Sequence, residues 1–149
     1  MVTVPANGVG DMAKFLGVGW QFPVAIDDKE EAKPSLKRFV LAEYEESIKQ
    51  SIRIILFTAK GERVMRPDFG CGIHELVFAP NDAAIRGMAE YHVSEALRLW
   101  EPRIEVLRVK ATASGAQGEV LRISIDYRVR TTDNRFNLVY PFYLERGVP

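Results

Sequence analysis

The chain has 149 residues, enough for one domain with a real core, and its twenty basic side chains balance twenty acidic ones. That balance gives no global pull toward nucleic acid or an anionic membrane. The single cysteine, Cys71, excludes an internal disulfide, and no apolar run reaches the length of a membrane span.

The amino-terminal stretch lacks the basic-then-apolar order of a secretion signal, so the expectation is a protein made and folded in a reducing cytosol. Residues 1–38 read as an extended, irregular arm, because Gly8, Gly10, Gly17 and Gly19 break helices and Pro5, Pro23 and Pro34 break ladders. Phe15, Leu16, Trp20 and Phe22 make this arm a strap that docks on a surface, either this chain's own core or a partner's. Residues 27–33 are a solvated charge run, and residues 39–149 are expected to form a single domain.

A first helix is expected over residues 41–59, with Leu41, Tyr44, Ile48, Ile52 and Ile55 on one face and Gly61 as its stop. Its last turns, Ile54 to Phe57, are apolar all round and so expected to be buried or covered by a partner. A second helix begins near Asn81 or Asp82 and runs to about Trp100. Ile85, Ala89, Val93, Ala96, Leu97 and Trp100 form its apolar stripe, and Pro102 ends it.

Three strands follow, over residues 103–113, 120–131 and 135–144. In the second, Leu121, Ile123, Ile125, Tyr127 and Val129 alternate with polar residues. A two-residue turn at Asp133 and Asn134 would set Val129 opposite Leu138 and Tyr127 opposite Tyr140. A five-residue loop over 114–118 would set Ala111 opposite Leu121 and Leu107 opposite Ile125, with a bulge near Glu105 and Val106 bringing Ile104 opposite Tyr127. Pro141 cannot donate to a ladder, so the third strand is an edge. The expected fold is α+β: a three-stranded antiparallel meander with two main helices packed on one face and an irregular N-terminal arm.

The connector over residues 61–80, GERVMRPDFGCGIHELVFAP, is rich in glycine, proline and arginine and reads as a defined loop anchored by Phe69 and Phe78. It holds the first candidates for chemistry. Cys71 and His74 lie three apart, but a metal site wants three or four ligands and the only other histidine is His92. A cysteine nucleophile needs an orienting base and an oxyanion hole, and nothing in the pattern supplies them. Among Asp68, Glu75, Glu90 and Glu101, no pair stands apart from surface charge as a glycosidase acid pair. No catalytic residue, metal site or cofactor is therefore expected.

Trp100, Glu101, Pro102 and Arg103 form a helix stop with opposite charges flanking a proline. That is either a solvated end or a rigid charged corner offered to another subunit. The edge strand, with Tyr140, Phe142 and Tyr143, is a second candidate surface, because an exposed edge invites another chain to add a strand.

The order of Gly19, Trp20, Gln21, Phe22 and Pro23, the helix, the 61–80 connector, the Glu101-Pro102-Arg103 corner and the Asn137 to Phe142 ending resembles the small baseplate-wedge subunits of contractile tails. These include the P2-like W protein, the T4-like small wedge protein and the counterparts in type VI secretion and phage-tail-like injection particles. The resemblance covers about residues 15–145. It implies a non-enzymatic subunit, incorporated in a baseplate, that contacts wedge subunits and bridges to the first sheath ring. Spike or hub proteins are further candidate partners; nucleic acid and membrane insertion are not implied. It further implies that Glu101, Pro102 and Arg103 hold the wedge bundle and that sheath strands add to the meander. Trp20, Phe22, Arg66, Asp68, Tyr140 and Tyr143 complete the expected partner-binding set. Some members carry a lysozyme label, so a peptidoglycan-degrading hydrolase of the same particle is the alternative. Which contractile system the chain serves stays open.

Overall fold

The computed structural model describes residues 17–24, 26–27, 38–39, 41–115 and 119–144. Phe15 and Leu16, and the charge run beyond Asp27, lie outside them. The described residues fall in two units that divide between Ser51 and Ile52.

In the first unit the arm is not wholly irregular. Strand β1 (Val18–Trp20) pairs antiparallel with β4 (Leu41–Glu43), and β2 (Ile26–Asp27) pairs with β3 (Arg38–Phe39). Residues 41–43, expected to open the first helix, are thus a strand. Tyr44, with φ of 51°, breaks the extended run, and its N–H donates to the Gly17 carbonyl at 3.2 Å. Helix α1 therefore starts at Tyr44 and runs to Phe57. Gln50 is buried on α1, and its side-chain oxygen accepts the Phe22 N–H at 2.8 Å, so that buried amide has a partner.

Ile48, Ile52, Ile55 and Leu56 of α1 are buried, as their spacing requires. The last turn is not apolar on every side of a closed core: Phe57 is exposed and packs edge-to-face on Tyr140. The helix stops two residues earlier than expected. The Thr58 N–H and hydroxyl both donate to the Ile54 carbonyl, and Ala59 turns away to bridge Cys71.

A short 3-10 turn (Gly72–Leu76) leads to helix α2 (Ala83–Trp100), whose first turn is capped by the Asp82 carboxylate accepting the Ile85 N–H at 2.8 Å. Ala89, Val93, Ala96 and Leu97 form its buried stripe, and the helix packs on the strand that follows it, Ile104–Ser114.

Strands β5 (Ile104–Ser114), β6 (Val120–Val129) and β7 (Arg135–Tyr143) form an antiparallel meander with β6 central, so β7 is an edge as Pro141 requires. Alternation holds: Leu121, Ile123, Ile125, Tyr127 and Val129 are all buried, and Tyr140 and Phe142 join them from β7.

The register departs from expectation in both hairpins. Tyr127 faces Phe136 and Ile123 faces Tyr140, because the loop from Arg130 to Asp133 spans four residues rather than two. A two-residue hairpin of the favoured type needs positive φ at both Asp133 and Asn134; only Asp133 has it, at 55°. Its N–H donates to the Val129 carbonyl, and the Arg128 guanidinium bridges the Asp133 and Glu105 carboxylates. In the first hairpin Ala111 faces Ile123 and Ile104 faces Val129. Gly115, with φ of 90°, opens that loop one residue later than expected. The bulge exists but falls at Leu107, between Val106 and Arg108, and leaves Leu107 exposed rather than opposite Ile125. Both shifts are even in the pairing, so the apolar faces still coincide.

Candidate partner-binding surfaces

The 61–80 connector is tied at its base to the end of α1. The Cys71 N–H donates to the Thr58 carbonyl at 2.9 Å, the Gly61 N–H to the Pro67 carbonyl at 2.8 Å, and the Glu62 carboxylate accepts the Ala59 N–H at 2.8 Å. Phe69 lies on Trp100 at 5.1 Å between ring centres. Arg63 stacks over Phe69 and Arg66 over Trp100, and Arg66 also pairs loosely with Asp68 at 3.6 Å. Phe78, expected as a core anchor, is exposed; Cys71, Ile73 and Leu76 anchor the segment instead. The 3-10 turn explains this, because it spends its inward positions on Ile73 and Leu76 and carries Phe78 past the core.

Neither Cys71 nor His74 is arranged for chemistry. Burial pushes the Cys71 thiol up to about 11, so it is no nucleophile at neutral pH. His74 donates through Nε2 to the Leu56 carbonyl at 2.8 Å, closing the end of α1, and packs edge-on to Phe142. Among the described residues no three His, Cys, Asp or Glu side chains cluster as metal ligands. The acid candidates are engaged elsewhere: Asp68 with Arg66, Glu90 with the Ala111 N–H, Glu101 with Arg103.

The charged corner is built by the end of α2. The Glu101 N–H closes on the Leu97 carbonyl, and the Glu101 carbonyl accepts the Ile104 N–H. Arg103 grips the Glu101 carboxylate with two hydrogen bonds, Nε to Oε1 and Nη2 to Oε2, each 2.6 Å. Glu101 is only 3% exposed, whereas Arg103 keeps 30% of its surface and Pro102 is exposed. Hydrogen bonding to Glu101 pushes the Arg103 pKa above its ordinary value, so it stays charged. The corner is also tied to the sheet: the Arg130 N–H donates to the Arg103 carbonyl and its Nε to the Ile104 carbonyl. What this corner presents outward is Pro102 and the exposed part of the Arg103 side chain.

The two sheet edges differ. Val129 N–H donates to the Asn134 carbonyl and Leu144 N–H to the Glu119 carbonyl, so alternation sends the even-numbered backbone groups of β7 toward β6. The N–H groups of Arg135, Asn137, Val139 and Tyr143 face outward, and Pro141 contributes a carbonyl alone. On the far edge, β5 has two outward donors already taken, Ile104 by the Glu101 carbonyl and Ala111 by the Glu90 carboxylate at 2.8 Å. Edge β5 is thus partly occupied, and β7 is the more open of the two. Tyr143 is exposed on it, while Tyr140 is buried and its ring lies inside. Phe22 is half exposed in the first unit, and Trp20 is placed as the β1 residue opposite Leu41.

Comparison with known proteins gives consistent likenesses. A family model described as baseplate wedge protein gp25 matches residues 42–134. The baseplate wedge protein gp25 of Enterobacteria phage T4 is 36% identical over 63 residues, 42% of this chain and 48% of that protein, so the chain spans about half the length of this curated relative. A crystal structure of a candidate tail lysozyme from Geobacter sulfurreducens is 59% identical, covers 73% of this chain and 98% of its own, and superposes with a TM-score of 0.67. A chain of the anti-feeding prophage baseplate, solved by cryo-EM, is 19% identical over 91% of each chain with a TM-score of 0.62, a likeness of fold.

Proposed function

Because the chain belongs to the baseplate wedge protein gp25 family, we propose that it is a structural baseplate subunit of a contractile injection system that links the wedge core to the first sheath ring and nucleates sheath assembly. The observation that carries the sheath-facing part is the asymmetry of the sheet. Edge β5 has donors occupied by Glu90 and the Glu101 carbonyl, whereas β7 keeps outward donors at Arg135, Asn137, Val139 and Tyr143. An incoming sheath strand pairs along residues 135–139 and then meets Pro141, which offers no donor. Pro102, Arg103, Arg66 and Asp68 face the wedge subunits, with Trp20 and Phe22 of the arm as a further contact.

Val139→Pro tests this reading. It removes one outward donor from an edge strand that already tolerates Pro141, so the isolated protein should keep its circular dichroism and melting temperature. Baseplates should form and carry no sheath. Extended sheaths of normal length on Val139→Pro baseplates would sink the β7 assignment.

One observation favours a second reading, a peptidoglycan hydrolase of the same particle: the 59% identical Geobacter sulfurreducens protein bears a lysozyme name. The engagement of Asp68, Glu90 and Glu101 in internal contacts argues against it. Clearing of a peptidoglycan suspension by the purified chain, abolished by Glu75→Gln or Glu101→Gln, would replace the structural reading.

A further inference from the structure

The tip of the 61–80 connector carries the two most exposed large apolar side chains among the described residues, Val64 at 92% and Met65 at 89%. They are the central residues of a tight turn closed by the Arg66 N–H on the Arg63 carbonyl at 3.2 Å. Such positions favour Gly, Pro, Asn, Asp and Ser, each for a backbone reason. Neither Val64 nor Met65 has positive φ, and neither side chain packs on the fold, so nothing in the isolated chain calls for valine and methionine there.

The turn cannot tuck them under. Its base is closed by the Gly61 to Pro67 backbone bond, and its descending limb by the Phe69 N–H on the Arg66 carbonyl at 3.0 Å. The flanking arginines are braced from below, Arg63 at 4.1 Å over the Phe69 ring and Arg66 at 5.1 Å over Trp100. Held over these rings, the two guanidinium groups do not fold over the tip, and both arginine side chains stay exposed to solvent. Arg66 shares its charge with exposed Asp68, while Arg63 has no carboxylate within ion-pair distance among the described residues. The result is a rigid apolar plug with a cationic collar.

We infer that Val64 and Met65 insert into an apolar socket on a neighbouring baseplate protein, whose rim carboxylates pair with Arg63 and Arg66. The inference rests on the baseplate reading above. A collar of two arginines selects an acidic rim. Two copies meeting tip to tip would set the same arginines against each other, so a symmetric self-contact does not fit. Methionine suits the bottom of such a socket because its unbranched side chain adapts to an irregular wall.

The test replaces the wild-type gene, in cells that assemble the particle, with Val64→Ser/Met65→Ser, with Val64→Leu/Met65→Leu, or with Arg63→Glu. Intact particles are counted by electron microscopy, and the purified proteins are melted and sized. The serine pair should melt as the wild type does, since serine suits a turn, and should lower particle number by about ten-fold or more, the effect of truncating a central interface anchor. Arg63→Glu should lower it comparably, and the leucine pair should assemble normally. Wild-type particle numbers with the serine pair would overturn the plug. So would a large fall in its melting temperature, which would place the two residues in the fold. Wild-type self-association that the serine pair abolishes would also overturn it, because the socket would then lie on a second copy. Absence of the wild-type protein from purified particles would take down the baseplate reading and the plug with it; its presence beside a fully assembling serine pair takes down the plug alone.

Discussion

Glu90, on α2, holds the outer edge of β5 by accepting the Ala111 N–H at 2.8 Å. The side chain of a helix thus stands at one point where the backbone of another strand would otherwise pair, and β5 is the less open of the meander's two edges. Glu90→Ala should uncover that donor. The lost hydrogen bond to a charged acceptor costs about 1.5–3 kcal/mol, read as a lower urea midpoint. The Ala111 amide should lose protection in hydrogen exchange, and the protein should self-associate at high concentration through the freed β5 edge. Glu90→Gln, which keeps an acceptor, should show a smaller effect. Unchanged exchange at Ala111 in Glu90→Ala would refute this account of the edge.

Arg103 and Glu101 make the second prediction. Glu101 is nearly buried and both its oxygens are held by one guanidinium, so the two substitutions are unequal to their joint effect. Arg103→Ala leaves a buried carboxylate without its cation, which costs about 3–5 kcal/mol when no water reaches the site and less here, since Arg103 keeps partial exposure. Arg103→Ala/Glu101→Ala, which removes both charges, should be more stable than Arg103→Ala alone. A double-mutant cycle in urea measures the coupling; additive effects would show that the pair is not the clamp described here. An assembly defect in Arg103→Ala alone is therefore no test of a partner contact, because the corner itself is loosened.

Much of this was legible in the residues. Period-3.6 spacing located α1 and α2, alternation located β6 and its buried face, and Pro141 marked the edge. The failures have local causes. Residues 41–43 carry an apolar residue in helical phase with Ile48, but their backbone is claimed by β1, a pairing about two dozen residues away that spacing does not encode. The hairpin register turned on whether Asn134 would take a positive φ beside Asp133, and side-chain parity is satisfied either way. At the candidate surfaces the spacing of residues gave no direction for their side chains. The pattern of charges around Pro102 does not say that Glu101 points inward, and an aromatic at 140 or 143 looks alike until the pleat is placed. Val64 and Met65 passed unnoticed because the signal is exposure, which only the closed turn reveals.

The third prediction concerns alkaline pH. Burial raises the Cys71 thiol to about 11 and the Tyr140 hydroxyl to about 12. A group whose folded pKa lies above its unfolded value stabilises the fold fully below the unfolded value and ceases to as pH rises through the folded one. With ordinary values of about 8.5 for cysteine and about 10 for tyrosine, the loss begins near pH 9 and continues past pH 11. Melting temperature should therefore be level between pH 7 and 8 and fall from about pH 9 upward. Cys71→Ala should flatten the early part of that fall, and wild-type Cys71 should resist alkylation by iodoacetamide at pH 8. Rapid alkylation of the folded protein would contradict the buried, protonated thiol.

Gly70 lies against the end of α1, and it yields the fourth prediction. Its φ is 119°, a conformation that side-chain-bearing residues rarely adopt. A Cβ placed there would sit 2.4 Å from the Thr58 carbonyl oxygen and 3.0 Å from the Ala59 carbonyl group, all of it backbone. Thr58 cannot give way easily, because its carbonyl accepts the Cys71 N–H and its own N–H and hydroxyl are bound to the Ile54 carbonyl. Gly70→Ala thus combines strain with a clash against a fixed helix end, and should cost about 3 kcal/mol or more. Gly61 supplies the internal comparison. Its φ is also positive, at 85°, but nothing lies within 4 Å of a Cβ there, so Gly61→Ala should cost only the backbone strain, about 1–2 kcal/mol. Urea denaturation of the two variants side by side separates clash from strain. Equal losses would mean that the connector lifts off α1 at little cost, and that the rigidity assigned to its Val64 and Met65 tip does not come from this contact.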